Sequence, residues 1–106
     1  MKTAATIFVV GVIVVVGAIV GLVPNDAQDH GKEVYATQKC GFCHSIAGVG
    51  GDRLALDGAG SKLKPEEIKK WIRTPKAMKS DTTMKPYPNL PERDLNDLTA
   101  YLMTLK

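Results

Sequence analysis

The residues best suited to chemistry stand together in the run Cys40-Gly41-Phe42-Cys43-His44. Two thiols separated by two residues can act on one group at the same time, and an imidazole follows directly. A disulfide between Cys40 and Cys43 would close a very short loop and restrict little of the chain. The two cysteines are the only ones in the sequence, and they are best interpreted as one chemical site.

The spacing C-x-x-C-H is the attachment signature of c-type haem. Two thiols add across the two vinyl groups of haem, and the adjacent histidine ligates the iron. A thioredoxin-like redox pair would require a βαβ context, and a zinc site would require a second pair of ligands, but the sequence offers neither. The motif therefore predicts one covalent haem on Cys40 and Cys43, with His44 as an axial ligand.

The second axial ligand must come from elsewhere in the chain. The candidates are His30, Met78, Met84 and Met103. The histidine lies only ten residues before Cys40, too close to reach the opposite face of the ring, and the last methionine falls beside the apolar stripe of a helix. Met78 and Met84 lie in the segment between the second and third predicted helices. Met84 precedes Pro86 and Pro88, which stiffen the chain around its sulfur.

Three helices are predicted to position these residues. The first starts after Asp29, a plausible N-cap. The second runs from Pro65 to about Thr74, and the third runs from Pro91 to about Leu105. Their inward faces are predicted to carry Gly31, Val34 and Tyr35, then Ile68, Trp71 and Ile72, then Leu95, Leu98, Leu102 and Leu105. Residues 45–63 hold five glycines and are predicted to form a loop. No alternating strand pattern appears, so the expected fold class is all-α.

The first 23 residues differ in composition from the rest. Residues 3–23 carry no charge and as a helix would span about 31 Å, the thickness of a bilayer core. Residues 1–23 are therefore predicted to be one transmembrane anchor, with a cleaved signal peptide as the alternative. The only basic side chain near the segment is Lys2, and the far flank carries Asp26 and Asp29. By the positive-inside rule, the N-terminus lies in the cytoplasm and the domain on the periplasmic side of the inner membrane.

The charge of the domain points to a protein partner and not to nucleic acid. The whole chain has a net charge of only +3. Between residues 62 and 85, however, eight basic side chains outnumber three acidic ones: Lys62, Lys64, Lys69, Lys70, Arg73, Lys76, Lys79 and Lys85 against Glu66, Glu67 and Asp81. A basic face of this kind would steer the domain to an acidic partner, although an ordinary solvated surface is the simpler alternative.

From about Asp29 to the C-terminus, the chain resembles a class I cytochrome c domain. The matching stretches are Gly31-Lys32-Glu33-Val34-Tyr35, the C-x-x-C-H motif, Trp71 to Met78, Met84-Lys85-Pro86-Tyr87, and the final helix with Leu98-Thr99-Ala100-Tyr101-Leu102. The resemblance implies a small cytochrome c fold over residues 29–106, joined to the anchor by a linker at 24–28. It implies that His44 and Met84 are the axial ligands, and that the first and last helices cross with Gly31 against the Tyr101 region.

One departure from this family concerns the stretch after the motif. The family usually has Gly-Pro-x-Leu there, and the proline carbonyl accepts a hydrogen bond from the ligating histidine. Here the matching stretch is Arg53-Leu54-Ala55-Leu56. Because a carbonyl acceptor needs no particular side chain, the expectation is that Leu54 provides it.

These features predict an electron carrier and not an enzyme. An iron with a histidine on one side and a methionine on the other has no free position for a substrate. In addition, no acid, base or nucleophile cluster accompanies the motif. The expected partner is a redox protein, within or next to a membrane oxidoreductase, and no small-molecule substrate is expected. The chain could be a free anchored carrier or a fixed haem subunit, which the small-residue pair Gly17 and Gly21 favours. The alternative is a haem-based sensor, which would need a weak or missing sixth ligand.

Overall fold

The structure is a computed structural model that describes Gly11 and residues 25–106. The predicted anchor over residues 1–23, with its pair Gly17 and Gly21, therefore lies outside the described residues. Within the described part, no helix has both the length and the apolar character needed to cross a bilayer.

Helices form most of the described chain. The helices are α1 (Asn25–Thr37), α2 (Ala59–Lys62), α3 (Pro65–Arg73), α4 (Pro75–Met78) and α5 (Glu92–Met103), with a 3-10 turn at Cys40–Phe42. The helix predicted from Pro65 is confirmed, and its first turn carries two glutamates, which interact favourably with the helix dipole. The final helix is confirmed as well, with Pro91 as its N-cap and its end at Met103.

The first helix begins earlier than predicted, inside the expected linker at residues 24–28. Helix α1 begins at Asn25, four residues before the predicted cap at Asp29. Asp26 lies in the first turn, where a carboxylate favours helix formation because the backbone N–H groups there have no partners. Asn25 to Gln28 are therefore the first turn of a helix and not a flexible connection.

The core lies where α1, α3 and α5 pack together. Its buried apolar side chains are Val34, Ile68, Ile72, Leu90, Leu95, Leu98 and Leu102. The predicted inward faces of all three helices are thereby largely confirmed, although Trp71 is only half-buried and Leu105 packs at the margin. These contacts form the frame around which the rest of the chain is arranged.

The crossing of α1 and α5 depends on Gly31. A Cβ added at Gly31 would collide with the backbone carbonyl oxygen of Asp97 and would lie 2.8 Å from Cβ of Tyr101. Only glycine allows the two backbones to come this close. The predicted contact between Gly31 and the Tyr101 region is therefore confirmed.

The segment predicted to be a loop, residues 45–63, contains regular structure. Three short strands form one sheet in the order β2-β1-β3, with β1 (His44–Ile46), β2 (Val49–Gly50) and β3 (Leu54–Ala55). Strand β1 is antiparallel to β2 and parallel to β3. The expectation of an all-α chain without strands is corrected here: the domain is mainly helical with a small sheet. Strands of two or three residues are too short to show an alternating pattern.

Candidate functional site

A sharp change of direction after α1 positions the two cysteines. The amide of Gln38 still donates to the Val34 carbonyl, and Lys39 then adopts the left-handed conformation, with φ of 60°. The 3-10 turn follows, closed by the Cys43 amide, which donates to the Cys40 carbonyl at 3.2 Å. This turn holds both thiols, which are not joined in a disulfide, on one short piece of chain.

The two thiols differ in their exposure. Cys43 is exposed, while Cys40 is half-buried, and this burial raises the pKa of the Cys40 thiol above its usual value. Cys43 is therefore open to covalent attachment, and Cys40 remains partly accessible. The apolar side chains that border the motif are unusually exposed, with Phe42 and Val49 each at 77% and Leu54 at 59%.

The imidazole of His44 is oriented by the strand that pairs with its own. Its Nδ1 lies 3.2 Å from the Leu54 carbonyl oxygen, across the parallel pair β1 and β3. Since a carbonyl can only accept, Nδ1 carries the proton in this bond and Nε2 presents its lone pair. The expectation that Leu54 replaces the family's proline carbonyl is confirmed. An imidazole held in this tautomer is suited to bind a metal through Nε2.

A glycine-rich turn closes over the backbone of the motif. Gly51 donates to the carbonyls of Gly41 and His44, and Arg53 donates to the carbonyl of Cys43 at 3.0 Å. A Cβ at Gly51 would collide with the Phe42 carbonyl oxygen, so the two backbones are in direct contact. The glycines after the motif therefore satisfy its carbonyls and fix its shape, which sequence reasoning missed.

The segment that carries Met84 is tied to both flanks of the motif. On one side, Thr83 accepts a hydrogen bond of 3.2 Å from Arg53, the residue before Leu54. On the other side, the Tyr87 hydroxyl donates to the Gln38 carbonyl at 3.1 Å, two residues before Cys40. The half-buried Met84 lies between these two ties. The structure thus brings the Met84 segment beside the segments that carry Cys40 and His44.

The other candidate ligands have different surroundings. Met78 ends α4 and lines a groove of about 710 Å³ between α3 and α5, which includes none of the motif residues. Met103 packs at the margin of the core. Both nitrogens of His30 face carboxylates of α5, with Nδ1 at 2.7 Å from Asp97 and Nε2 at 3.6 Å from Asp94. His30 therefore links α1 to α5.

The described residues fit a covalently bound haem. The thiols are free, the His44 imidazole is correctly oriented, and apolar surface that a porphyrin can cover borders the motif. In addition, the Tyr35 hydroxyl is buried without a hydrogen-bond partner among the described residues, and it lies 3.9 Å from a Cβ placed on Gly41. A buried hydroxyl without a hydrogen-bond partner is unusual in a folded protein. The position of the Tyr35 hydroxyl next to the motif fits a site that is completed by a bound haem.

Two contributors to the site were not recognised from the sequence. The tie between Arg53 and Thr83 joins residues thirty positions apart, and no local pattern reveals such a pair. For Tyr87 the available signal is its position between Pro86 and Pro88, which restrict the backbone, together with a hydroxyl that needs a partner when buried.

Comparison with known proteins agrees with this geometry. Residues 26–102 match the family model described as cytochrome c oxidase, cbb3-type, subunit III. The chain is also 31% identical over 88 residues to cytochrome c oxidase subunit 2 of Alkalihalophilus pseudofirmus, strain ATCC BAA-2126 / JCM 17055 / OF4. That match covers 74% of this chain but spans only a quarter, 25%, of the relative. No solved structure matches the chain significantly.

The family match covers the motif, the small sheet, the Met84 segment and nearly all of α5. It agrees with the free thiols, the oriented imidazole and the apolar border of the site. The chain therefore belongs to the family of cbb3-type cytochrome c oxidase subunit III, as a cytochrome c domain that carries covalently bound haem c.

Proposed function

We propose that this protein transfers electrons through one haem c, attached to Cys40 and Cys43 and ligated by His44 and Met84. It acts as a carrier or as the haem subunit of a membrane respiratory oxidoreductase, and it is not a catalyst on its own. The observation that carries this proposal is the double tie of the Met84 segment, to Arg53 on one side and to Gln38 on the other. A segment held at both ends beside the motif is suited to supply the second axial ligand.

The residues around the motif have separate tasks. Bound haem would supply an iron that gains and loses one electron, and ligation by a histidine and a methionine would suit it to that role. Cys40 and Cys43 hold the group in place. The Leu54 carbonyl keeps the proton of His44 on Nδ1 and leaves Nε2 for the metal. The thioether of Met84 would supply a lone pair from sulfur and carries no proton.

A basic face next to the Met84 segment supports an acidic protein partner. Lys70, Lys76, Lys79 and Lys85 are exposed, and none of them forms an ion pair within the described range. Beside them lies an apolar-lined pocket of about 300 Å³, formed by Arg73, Thr74, Pro75, Lys76, Pro86 and Pro88. A partner with carboxylates around an apolar side chain fits this combination.

The respiratory setting rests on the family and on the relative. The printed names of both concern cytochrome c oxidase subunits, which supports a respiratory oxidase as the partner complex. The composition of residues 1–23 supports a single membrane anchor with the haem domain on the periplasmic side. Membrane attachment would keep the domain next to such a complex.

The proposal is tested on protein matured in a host that attaches haem c. Intact-mass measurement under denaturing conditions should show one added haem, and Cys40→Ala with Cys43→Ala should abolish the addition. A near-infrared sulfur-to-iron band should be present in the oxidised wild-type protein. Addition of electrons from a reduced donor should be reversible, with one electron per chain. An unmodified mass, or a haem-loaded protein without the near-infrared band, contradicts the proposed site.

A further inference from the structure

Two side chains outside the ligand set hold the segment that carries Met84. The Tyr87 hydroxyl donates to the Gln38 carbonyl in a half-buried hydrogen bond of 3.1 Å. The Arg53 guanidinium donates to the Thr83 hydroxyl at 3.2 Å, in an exposed bond. These contacts lie on opposite sides of Met84 in the chain, so the segment is fixed at both ends.

The contact of Tyr87 is the stronger of the two. Burial raises the pKa of the Tyr87 hydroxyl, so the phenol stays protonated and remains a donor. The Tyr87 amide also donates to the Ile72 carbonyl at 2.9 Å, which fixes the backbone at the same residue. A half-buried bond of this kind exchanges poorly with water, whereas the exposed Arg53 bond competes with solvent.

The hydrogen bond from Tyr87 is important because its acceptor, Gln38, lies next to the C-x-x-C-H motif. Gln38 precedes Cys40 by two residues, at the turn that leads from α1 into the motif. The bond therefore joins the segment of one proposed axial ligand to the segment of the covalent attachment. A movement of Met84 away from the motif would strain this bond, because only two residues separate Met84 from Tyr87.

We propose that Tyr87, with Arg53 in a lesser role, is a positioning residue that keeps the Met84 thioether on the iron. The inference rests on the proposed ligation by His44 and Met84. A neutral thioether is a weak ligand, so the balance between a bound and a released Met84 depends on how firmly its segment is held. The Tyr87 tie thereby sets how easily an added ligand replaces Met84.

The test uses the full, haem-loaded chain titrated with imidazole, which competes with the thioether for the iron. Loss of the near-infrared sulfur-to-iron band reports the exchange. Tyr87→Phe keeps the ring and removes only the donor, and it should lower the apparent Kd for imidazole about fivefold. Arg53→Ala should lower it about twofold, because water replaces part of an exposed bond.

Two matched variants separate positioning from general loss of stability. Thr104→Val removes a hydroxyl that donates to the Tyr101 carbonyl at 2.6 Å, at the end of α5, and should leave the imidazole affinity unchanged. Leu102→Val loosens the core at the C-terminal end of α5 and should leave it unchanged as well. A wild-type Kd in Tyr87→Phe, or an equal decrease in Leu102→Val, overturns the positioning role. Absence of the band in the wild-type protein instead refutes ligation by Met84 itself.

Discussion

His44 and Met84 are held in different ways, and on the proposed ligation this difference would decide which ligand is exchanged first. His44 follows directly on Cys43, and its Nδ1 is fixed by the Leu54 carbonyl. Met84 lies 40 residues further along the chain from His44, and its position depends on hydrogen bonds at either side. The thioether is therefore expected to leave the iron well before the imidazole does.

Replacing Met84 with alanine should remove one axial ligand. The reduction potential should fall, and the site should open to small ligands such as carbon monoxide. Met78→Ala should leave the haem spectrum nearly unchanged and cost about 1–2 kcal/mol of stability, because this half-buried side chain packs between α3 and α5. Absorption spectra of both variants decide the assignment. If the sulfur-to-iron band disappears in Met78→Ala and persists in Met84→Ala, the ligand is Met78.

The Tyr35 hydroxyl predicts a loss of stability at high pH. Burial raises the pKa of Tyr35 to about 12 from 10.0, with smaller contributions from Cys40 and Tyr101. The folded state thus favours the protonated phenol, whereas the unfolded chain ionises at its ordinary pKa. The stability that this group contributes is present below pH 10 and is lost as the pH rises towards 12.

Denaturant titrations of the wild type and Tyr35→Phe measure this effect. Phenylalanine does not ionise, so the wild type should lose more stability than the variant between about pH 9 and about pH 11.5. Tyr87 has a raised pKa in both proteins, and its contribution therefore cancels in the comparison. Parallel pH profiles for the two proteins would show that Tyr35 ionises freely in the fold.

At the scale of the secondary structure elements, the crossing of α1 and α5 leaves no room for an added methyl group at Gly31. Gly31→Ala places a methyl group against the Asp97 carbonyl, which should destabilise the domain by about 3 kcal/mol. Helix propensity alone would favour alanine by about 1 kcal/mol, so the two effects have opposite signs. Lys32→Ala, at an exposed position of the same helix, should change the stability by less than about 0.5 kcal/mol. Chemical denaturation of both variants checks the sign, and a stabilised Gly31→Ala would contradict the close crossing.

The longer helices could be predicted because their signals are local and repeated. Pro65 with two following glutamates defines the start of α3, and leucines at helical spacing define the buried face of α5. The predicted carbonyl of Leu54 followed from the resemblance, because a backbone acceptor does not depend on the side chain. The motif itself required no structural context beyond its spacing.

The remaining structure depends on contacts that no short pattern shows. Strand β1 pairs with β2 through a tight turn at Ala47 and Gly48, which both have positive φ, at 50° and 79°. Each strand is stable only because the others and the motif satisfy its backbone groups. The early start of α1 and the tie between Arg53 and Thr83 likewise arise from how the chain packs.

For the whole molecule, the uneven charge predicts selective reactions with charged reagents. Four exposed lysines lie between residues 70 and 85, in and before the segment that carries Met84, and the net charge of the chain is small. Oxidation of the reduced protein by ferricyanide, an anion, should therefore slow as the ionic strength rises. Lys76→Glu combined with Lys85→Glu should lower the rate at low salt about tenfold.

A matched variant tests whether this effect is local. Lys32→Glu combined with Lys106→Glu changes the net charge by the same amount at two exposed positions outside residues 62–85, in α1 and after α5. It should lower the ferricyanide rate by less than about threefold at the same ionic strength. Equal rates for the two double variants would mean that net charge, and not the basic face, governs the reaction.

With the proposed anchor, the start of α1 at Asn25 would limit how far the domain can move from its membrane segment. On the proposed anchor at residues 1–23, only Pro24 separates the membrane segment from a helix of 13 residues, which is about 20 Å long. A tether this short holds the domain at nearly constant height and gives it little lateral reach. The local concentration that the domain presents would then be high for a partner beside the anchor. Contact with partners elsewhere in the membrane would depend on lateral diffusion of the anchor and not on movement of the domain.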